Sequence, residues 1–313
     1  MREQFDITDE ATWLQARARD LTSTEVAALY GLNPYTTEFE LWHRKRLAQP
    51  EGKADTERMK WGRRLEAAIA AGVAEDHGWI AKPRKIYQRL PEQRLGCSFD
   101  WEAERNGQLG LMEIKNVDRR IYDDQWTEDG DQVLAPPHIE LQLQVQLLVS
   151  GLSWGAIIPL VGGNTSKVLL RTPDAVVQQD IKNRAAAFWA SIDAGMEPKP
   201  NYAKDAEFIR EELRKSAAVG TVMAADEEMD ADMQALIDAQ IRLRACEDAV
   251  DALKAKMIYR AGSAAKVIGR YGSISCGMTE AVPPKLITPD MVGQPIGGRR
   301  AFRNFRVNPK KEK

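Results

Sequence analysis

Gly96-Cys97-Ser98-Phe99-Asp100-Trp101-Glu102-Ala103-Glu104-Arg105-Asn106-Gly107-Gln108-Leu109-Gly110-Leu111-Met112-Glu113-Ile114-Lys115-Asn116 is the stretch on which the reading of this chain turns. Two runs able to form strands flank Asn106-Gly107, the strongest short-range signal for a tight hairpin. Side chains of a strand alternate between faces. Leu111, Glu113 and Lys115 therefore share one face, and Met112 and Ile114 the other. The apolar pair faces a core; the acid and the lysine face a common site, which Asp100 reaches from the partner strand if the register allows. A carboxylate from each strand and a nearby lysine suit metal-assisted phosphodiester chemistry. Carboxylates hold a hard divalent cation, the cation activates water and polarises phosphate, and the ammonium meets developing negative charge. The competing reading is a surface hairpin with solvated charges.

At 313 residues the chain accommodates one large domain with appendages, or two domains. A formal net charge of −2 gives no global basic field, so any nucleic-acid surface is a local patch. Cys97, Cys246 and Cys276 are few, odd in number and far apart, which argues against a disulfide framework and for a reducing compartment. His43, His77 and His138 lack ligand spacing, so zinc is not expected. No apolar run is long enough to span a membrane, and the N-terminus does not read as a signal peptide.

Two helical pieces are expected over residues 7–30, the second starting in Leu21-Thr22-Ser23-Thr24-Glu25-Val26. Its hydroxyls, with Arg17 nearby, suit either a phosphate or ordinary capping. Further helices are expected over Glu38–Leu47 and Glu57–Ala74. The second carries Trp61, Leu65, Ala68, Ile69 and Val73 as a core stripe, with Glu66 at its margin. Gly78–Arg94 reads as an edge strand, and Asp118–Val133 as a loop or short helix over the site. The helix beginning near His138 places Gln142 and Gln146 on one face and turns Gln144 elsewhere. Strands around Gly162-Gly163-Asn164 follow, then a helix over Asp174–Ala194 with Val177, Ile181, Ala185, Phe188 and Ile192 inward. Gly162 to Lys167 lacks phosphate-loop spacing, so ATP binding is not expected. From Met229 to Met257 apolar residues recur at steps of three and four, with one slip, as in a long amphipathic arm. Short strands are expected at Lys266–Ile268, Ser273–Cys276 and Arg303–Val307. Arg299, Arg300, Arg303, Arg306, Lys310, Lys311 and Lys313 make the end basic, either as a solvated terminus or as a DNA or partner contact.

In this order the pieces resemble the YqaJ-type viral recombinase family, whose best-known relative is the phage lambda exonuclease. The pieces are Trp13 with Arg17, Leu21-Thr22-Ser23-Thr24-Glu25-Val26, Gly31-Leu32-Asn33-Pro34-Tyr35, Trp61-Gly62 with Leu65-Glu66, Ser98-Phe99-Asp100, Glu113-Ile114-Lys115 and Gln144-Val145-Gln146. The resemblance covers roughly residues 10–195. It implies an α+β (mixed α/β) restriction-endonuclease-like core, a central mixed sheet flanked by helices. The domains expected are a nuclease domain over 1–212, from the resemblance, and beyond it, from the residue pattern, a helical, coiled-coil-like arm over 213–262 and a small basic tail over 263–313. Asp100, Glu113 and the Ile114 carbonyl would ligate Mg²⁺ or Mn²⁺. Glu66 would sit by a second ion, and Lys115 would position or activate water. Arg17, Thr24, Ser98 and Gln144 would form a 5′-phosphate pocket. Two departures from the pattern stand out: Phe99 replaces the usual proline before the aspartate, and Thr24 replaces serine.

The activity so implied is a Mg²⁺-dependent 5′→3′ exonuclease on double-stranded DNA ends that leaves 3′ single-stranded tails for phage recombination. A ring-shaped homo-trimer, a single-strand annealing protein as partner, no membrane association and the bacterial host cytoplasm go with it. The rivals are another nuclease of the same core, such as an endonuclease or a RecB-like repair nuclease, and a non-catalytic DNA-binding or assembly protein.

Overall fold

In the computed structural model Asn106 and Gly107 take φ of 51° and 71° and reverse the chain between two antiparallel strands. Positive φ at both central residues matches the right-handed twist of the flanking strands, which is why Asn-Gly is favoured there. The structure describes residues 1–48, 56–130, 132–216, 220, 222–270 and 272–276. The elements in order are β1 (Glu3–Asp6), α1 (Glu10–Arg19), β2 (Leu21–Thr22), α2 (Glu38–Leu47), α3 (Glu57–His77), β3 (Ile80–Pro83), β4 (Ile86–Leu90), β5 (Leu95–Ser98), β6 (Trp101–Arg105), β7 (Gln108–Val117) and α4 (Arg119–Gln125). There follow β8 (Thr127–Asp129), β9 (Gln132–Leu134), α5 (Pro137–Ser150), β10 (Gly155–Val161), β11 (Thr165–Ser166), β12 (Leu169–Arg171), α6 (Ala175–Asp193), α7 (Ala206–Ser216), α8 (Glu227–Ala261), β13 (Lys266–Gly269) and β14 (Gly272–Ser275).

The expected mixed sheet flanked by helices is present and is divided in two. One sheet runs β11-β10-β7-β6-β3, with β12 also on β10; the other runs β1-β4-β5-β2. β7 pairs antiparallel with β6 and parallel with β10. Burial on both faces makes its middle a near-continuous buried run. Leu111 belongs to a core with Leu143, Val145 and Leu147 of α5 and Ile181 and Phe188 of α6. Met112 and Ile114 face the opposite way, into a core with Ile69, Ala70 and Val73 of α3.

Three local expectations change. Gly78–Arg94 is two strands: β3 is the edge of one sheet, and β4 is interior to the other. Residues 21–29 do not start an α-helix. Leu21-Thr22 pairs with β5, and Val26–Tyr30 forms a 3-10 turn. The Glu25 carboxylate accepts from Thr22 N, a local side-chain bond that competes with helix formation. α3 buries Ile69, Ala70, Val73 and Ala74, whereas Trp61 is 52% exposed under the Arg64 guanidinium. The packing of α3 on this core begins at Leu65 and does not include the first turns of the helix.

The chain divides into two compact units, Met1–Ile209 and Arg210–Lys313. In the second unit α8 has no buried residue, and β13 and β14 form a hairpin. The expected strand at 303–307 and the basic terminus lie outside the described residues. Among those described, no helix is long and apolar enough to cross a membrane.

Candidate active site

At Phe99-Asp100 the chain passes from β5 in one sheet to β6 in the other. The ladder between β6 and β7 reaches only Trp101↔Met112, so β7 beyond that point has no β6 partner. Asp100 fills the place of the missing strand: its Oδ2 accepts from Ile114 N at 3.1 Å. The N–H and C=O of one strand residue project from the same edge. The Ile114 carbonyl therefore points from the edge at which Asp100 sits.

Glu113 is 1% exposed. Its Oε1 accepts from Gln142 Nε2 at 2.8 Å and lies 2.5 Å from Lys115 Nζ; its Oε2 accepts from Gln146 Nε2 at 2.6 Å. Lys115 also donates to Gln142 Oε1 at 3.2 Å. The two glutamines stand one helical turn apart on α5, which brings both to this carboxylate. Sequence reasoning put Gln142 and Gln146 on one face without giving them this role. The available signal was their four-residue spacing opposite a buried acid.

Burial pushes the Asp100 carboxyl well above its ordinary range, and Glu113 and Glu66 push it further. Glu66 is also raised, first by burial and then by Glu113. Burial works against the charge on Lys115, but Glu113 and Asp100 outweigh it and hold the ammonium above its usual range. Three carboxyl groups thus share one ammonium, an excess of negative charge in a poorly solvated place. Among the described residues no group of three or more His, Cys, Asp or Glu side chains is placed to hold a metal ion; Asp100 and Glu113 offer carboxylate oxygens, and Glu66 is near enough to act on Asp100 electrostatically. An ionised carboxylate offers about four lone-pair sites. Glu113 has three partners, and Asp100 has the Ile114 N–H, so both retain acceptor capacity. Hard oxygen donors with surplus negative charge fit a divalent cation.

A second cluster lies where α1 meets β5. The Arg17 guanidinium sits 4.6 Å from the Trp13 ring centroid, and Trp13 Nε1 donates to Ser98 Oγ at 3.4 Å. Thr24 is exposed; its hydroxyl lies 3.2 Å from that of Thr22, and its carbonyl accepts from Asn33 Nδ2 at 2.9 Å. Gln144 bonds to the loop before α6. Its Nε2 donates to Thr172 O and its Oε1 accepts from Asp174 N, both at 2.9 Å. It sits two residues from Gln142 and from Gln146 and so projects from another face of α5, bracing the loop before α6.

Residues 12–153 match the model of the YqaJ-like viral recombinase domain. This segment is similar to that domain over a little under half of the chain. All the residues of both clusters lie within the matched segment. No curated protein matches the chain. Among solved structures, an alkaline exonuclease (LHK-Exo) from Laribacter hongkongensis is 18% identical, with a TM-score of 0.46, over 66% of this chain and 100% of that one. The same protein in complex with dAMP gives 18% identity and a TM-score of 0.43 over the same shares. SSO0001 gives 12% and 0.35, over 68% of this chain and 97% of that one.

Within the matched segment, Asp100 is delivered by the crossing between sheets, Glu113 and Lys115 by β7, and Glu66 by α3. Three chain segments thus contribute charged side chains at one end of β7.

Proposed function

We propose that the YqaJ-like domain is a divalent-metal-dependent nuclease acting on the ends of double-stranded DNA, as a 5′→3′ exonuclease leaving 3′ single-stranded tails for phage-type recombination. The observation that carries this reading is the convergence of Asp100, from the crossing between β5 and β6, and Glu113, from β7, with Lys115 and Glu66. Asp100, Glu113 and the Ile114 carbonyl would hold Mg²⁺ or Mn²⁺, with Glu66 at the position of a second ion. When bound, the metal supplies Lewis-acid polarisation of the phosphate and a water of lowered pKa. Gln142 and Gln146 keep the Glu113 carboxylate from rotating. Lys115 orients the attacking water and meets the charge that develops on the phosphoryl oxygens. Arg17, with the hydroxyls of Thr24 and Ser98, would take a 5′-terminal phosphate and set how far the strand enters.

The proposal extends to a homo-trimeric ring around the duplex, a single-strand annealing protein as partner and action in the bacterial cytoplasm. The test is a digest of linear and closed circular duplex with Mg²⁺ and then with EDTA, the linear form with and without 5′-phosphate. Digestion of the linear form alone, faster from phosphorylated ends and stopped by EDTA, is the expected result. Cutting of the closed circle would move the assignment to an endonuclease of the same core, and no cutting of either to a DNA-binding protein.

A further inference from the structure

Lys45 lies in α2, away from the acid cluster, and is only 6% exposed. Its ammonium donates to the carbonyls of Arg17 and Asp20, each at 2.7 Å, and lies 2.7 Å from Glu25 Oε2. Three partners use all three of its donors. The Arg17 and Asp20 carbonyls are at the end of α1, where backbone acceptors lack helical partners. Glu25 Oε2 in turn accepts from Thr22 N at 2.9 Å, closing the turn that carries Thr24. One buried ammonium therefore joins the end of the helix bearing Arg17 to the turn bearing Thr24.

Arg17 acts on Glu25 as a second cation: burial opposes the glutamate's charge, yet Lys45 first and Arg17 next draw its pKa below the ordinary value. A guanidinium beside a carboxylate normally forms a forked pair. Here no ion pair of Arg17 is found among the described residues, and the guanidinium lies over Trp13 instead. The acid that could capture it is held by Lys45.

We propose that Lys45 is a positioning residue that keeps Glu25 from pairing with Arg17 and so leaves the Arg17 guanidinium available to a DNA 5′-phosphate. The inference rests on the pocket reading of Arg17, Thr24 and Ser98 given under the proposed function. A Glu25–Arg17 pair would neutralise the cation and occupy the fork that a phosphate needs. The surrounding backbone has a separate anchor: the Asp20 carboxylate is bound by Arg89 at 2.9 and 2.7 Å and by the Tyr87 hydroxyl at 3.2 Å. Loss of the Lys45 charge therefore leaves that hub in place.

The experiment uses the full chain. Fluorescence anisotropy in EDTA compares short duplexes with 5′-phosphate and 5′-hydroxyl ends, and digestion rates with Mg²⁺ are measured on the same pair. Wild type prefers the phosphorylated end. Lys45→Met loses about tenfold of that preference, as expected when one charge-assisted contact is removed. Lys45→Arg keeps it, and Lys45→Met with Glu25→Gln regains it because the competing acid is gone. Glu25→Gln alone, with Lys45 still on both carbonyls, retains the preference and gives a reading even if Lys45→Met does not fold. A preference kept by folded Lys45→Met, not regained in the folded double variant, or lost in folded Glu25→Gln overturns the proposal alone. Absence of any preference in wild type overturns the pocket reading and the proposal with it.

Discussion

Gln146, on α5, donates through Nε2 to Glu113 Oε2 at 2.6 Å, tying a helix to the central strand at the acid that the candidate site is built around. Both groups are nearly fully buried. Removing one partner of such a bond leaves the other desolvated and unsatisfied. Gln146→Ala is expected to lower stability by about 1–3 kcal/mol, read from urea denaturation midpoints. It is also expected to slow digestion of linear duplex, because Glu113 gains a rotation that Gln146 prevents. Unchanged stability would mean that the amide is not seated on the carboxylate.

Asp100→Asn and Glu113→Gln separate chemistry from folding. Each keeps the shape and removes one charge from a crowded set of carboxyl groups. Both variants are expected to lose about a thousandfold or more in nuclease rate, the scale of several kcal/mol of transition-state stabilisation. Asp100→Asn should melt no lower than wild type in EDTA, since the ionised form of Asp100 is disfavoured by burial, Glu113 and Glu66. A variant that unfolds outright would assign Asp100 to structure and not to the reaction.

Metal addition gives a reading independent of turnover. A ligand that binds only the folded state stabilises it by about 2.7 kcal/mol at a hundred times its Kd. Mg²⁺ or Mn²⁺ should raise the melting temperature of wild type and shift Asp100→Asn much less. Equal shifts in both would place the cation elsewhere on the chain.

The Lys45–Glu25 pair predicts an acid limit. The folded-state pKa of Glu25 is below its ordinary 4.5, so the folded state binds the proton less readily than the unfolded one. Its contribution is complete above about pH 4.5 and drains away as pH falls through the folded value. Wild type should lose stability faster than Glu25→Gln on acidification below that point, measured as urea midpoints across the range. Parallel curves would deny the pair a role in stability.

At the hairpin, Gly107 has φ of 71° and nothing within 4 Å of where a Cβ would stand. Gly107→Ala therefore meets no clash and carries only the conformational penalty of a left-handed position, about 1 kcal/mol. The melting temperature should fall modestly, with the nuclease rate at saturating metal unchanged. A collapse in activity would show that the register of β6 on β7 depends on this turn.

Much of the fold was legible locally. Asn106-Gly107 dictated a hairpin because few residues accept positive φ twice in succession. The period of two in β7 separated Glu113 and Lys115 from Met112 and Ile114, and the helical period of α5 set Gln142 and Gln146 apart from Gln144. The stripe on α3 was legible only in part: a helix shows its apolar face in its spacing, but not how much of its length meets the sheet, and Trp61 fell outside the contact. The turn at residues 21–29 was misread because its hydroxyls and glutamate bond to nearby backbone, an alternative to the helix that spacing does not reveal.

The amino-acid order by itself determined which side chains share a face, where the chain reverses, and that an acid, a glutamate and a lysine could meet at one strand end. Those are properties of bond geometry over a few residues. Only the tertiary structure decided that Asp100 replaces the missing strand partner of Ile114, that two glutamines hold Glu113, that Gln144 braces a distant loop, and that Lys45 restrains Glu25. These contacts join residues far apart in the chain, and their partners are chosen by how sheets and helices pack, which no local spacing encodes.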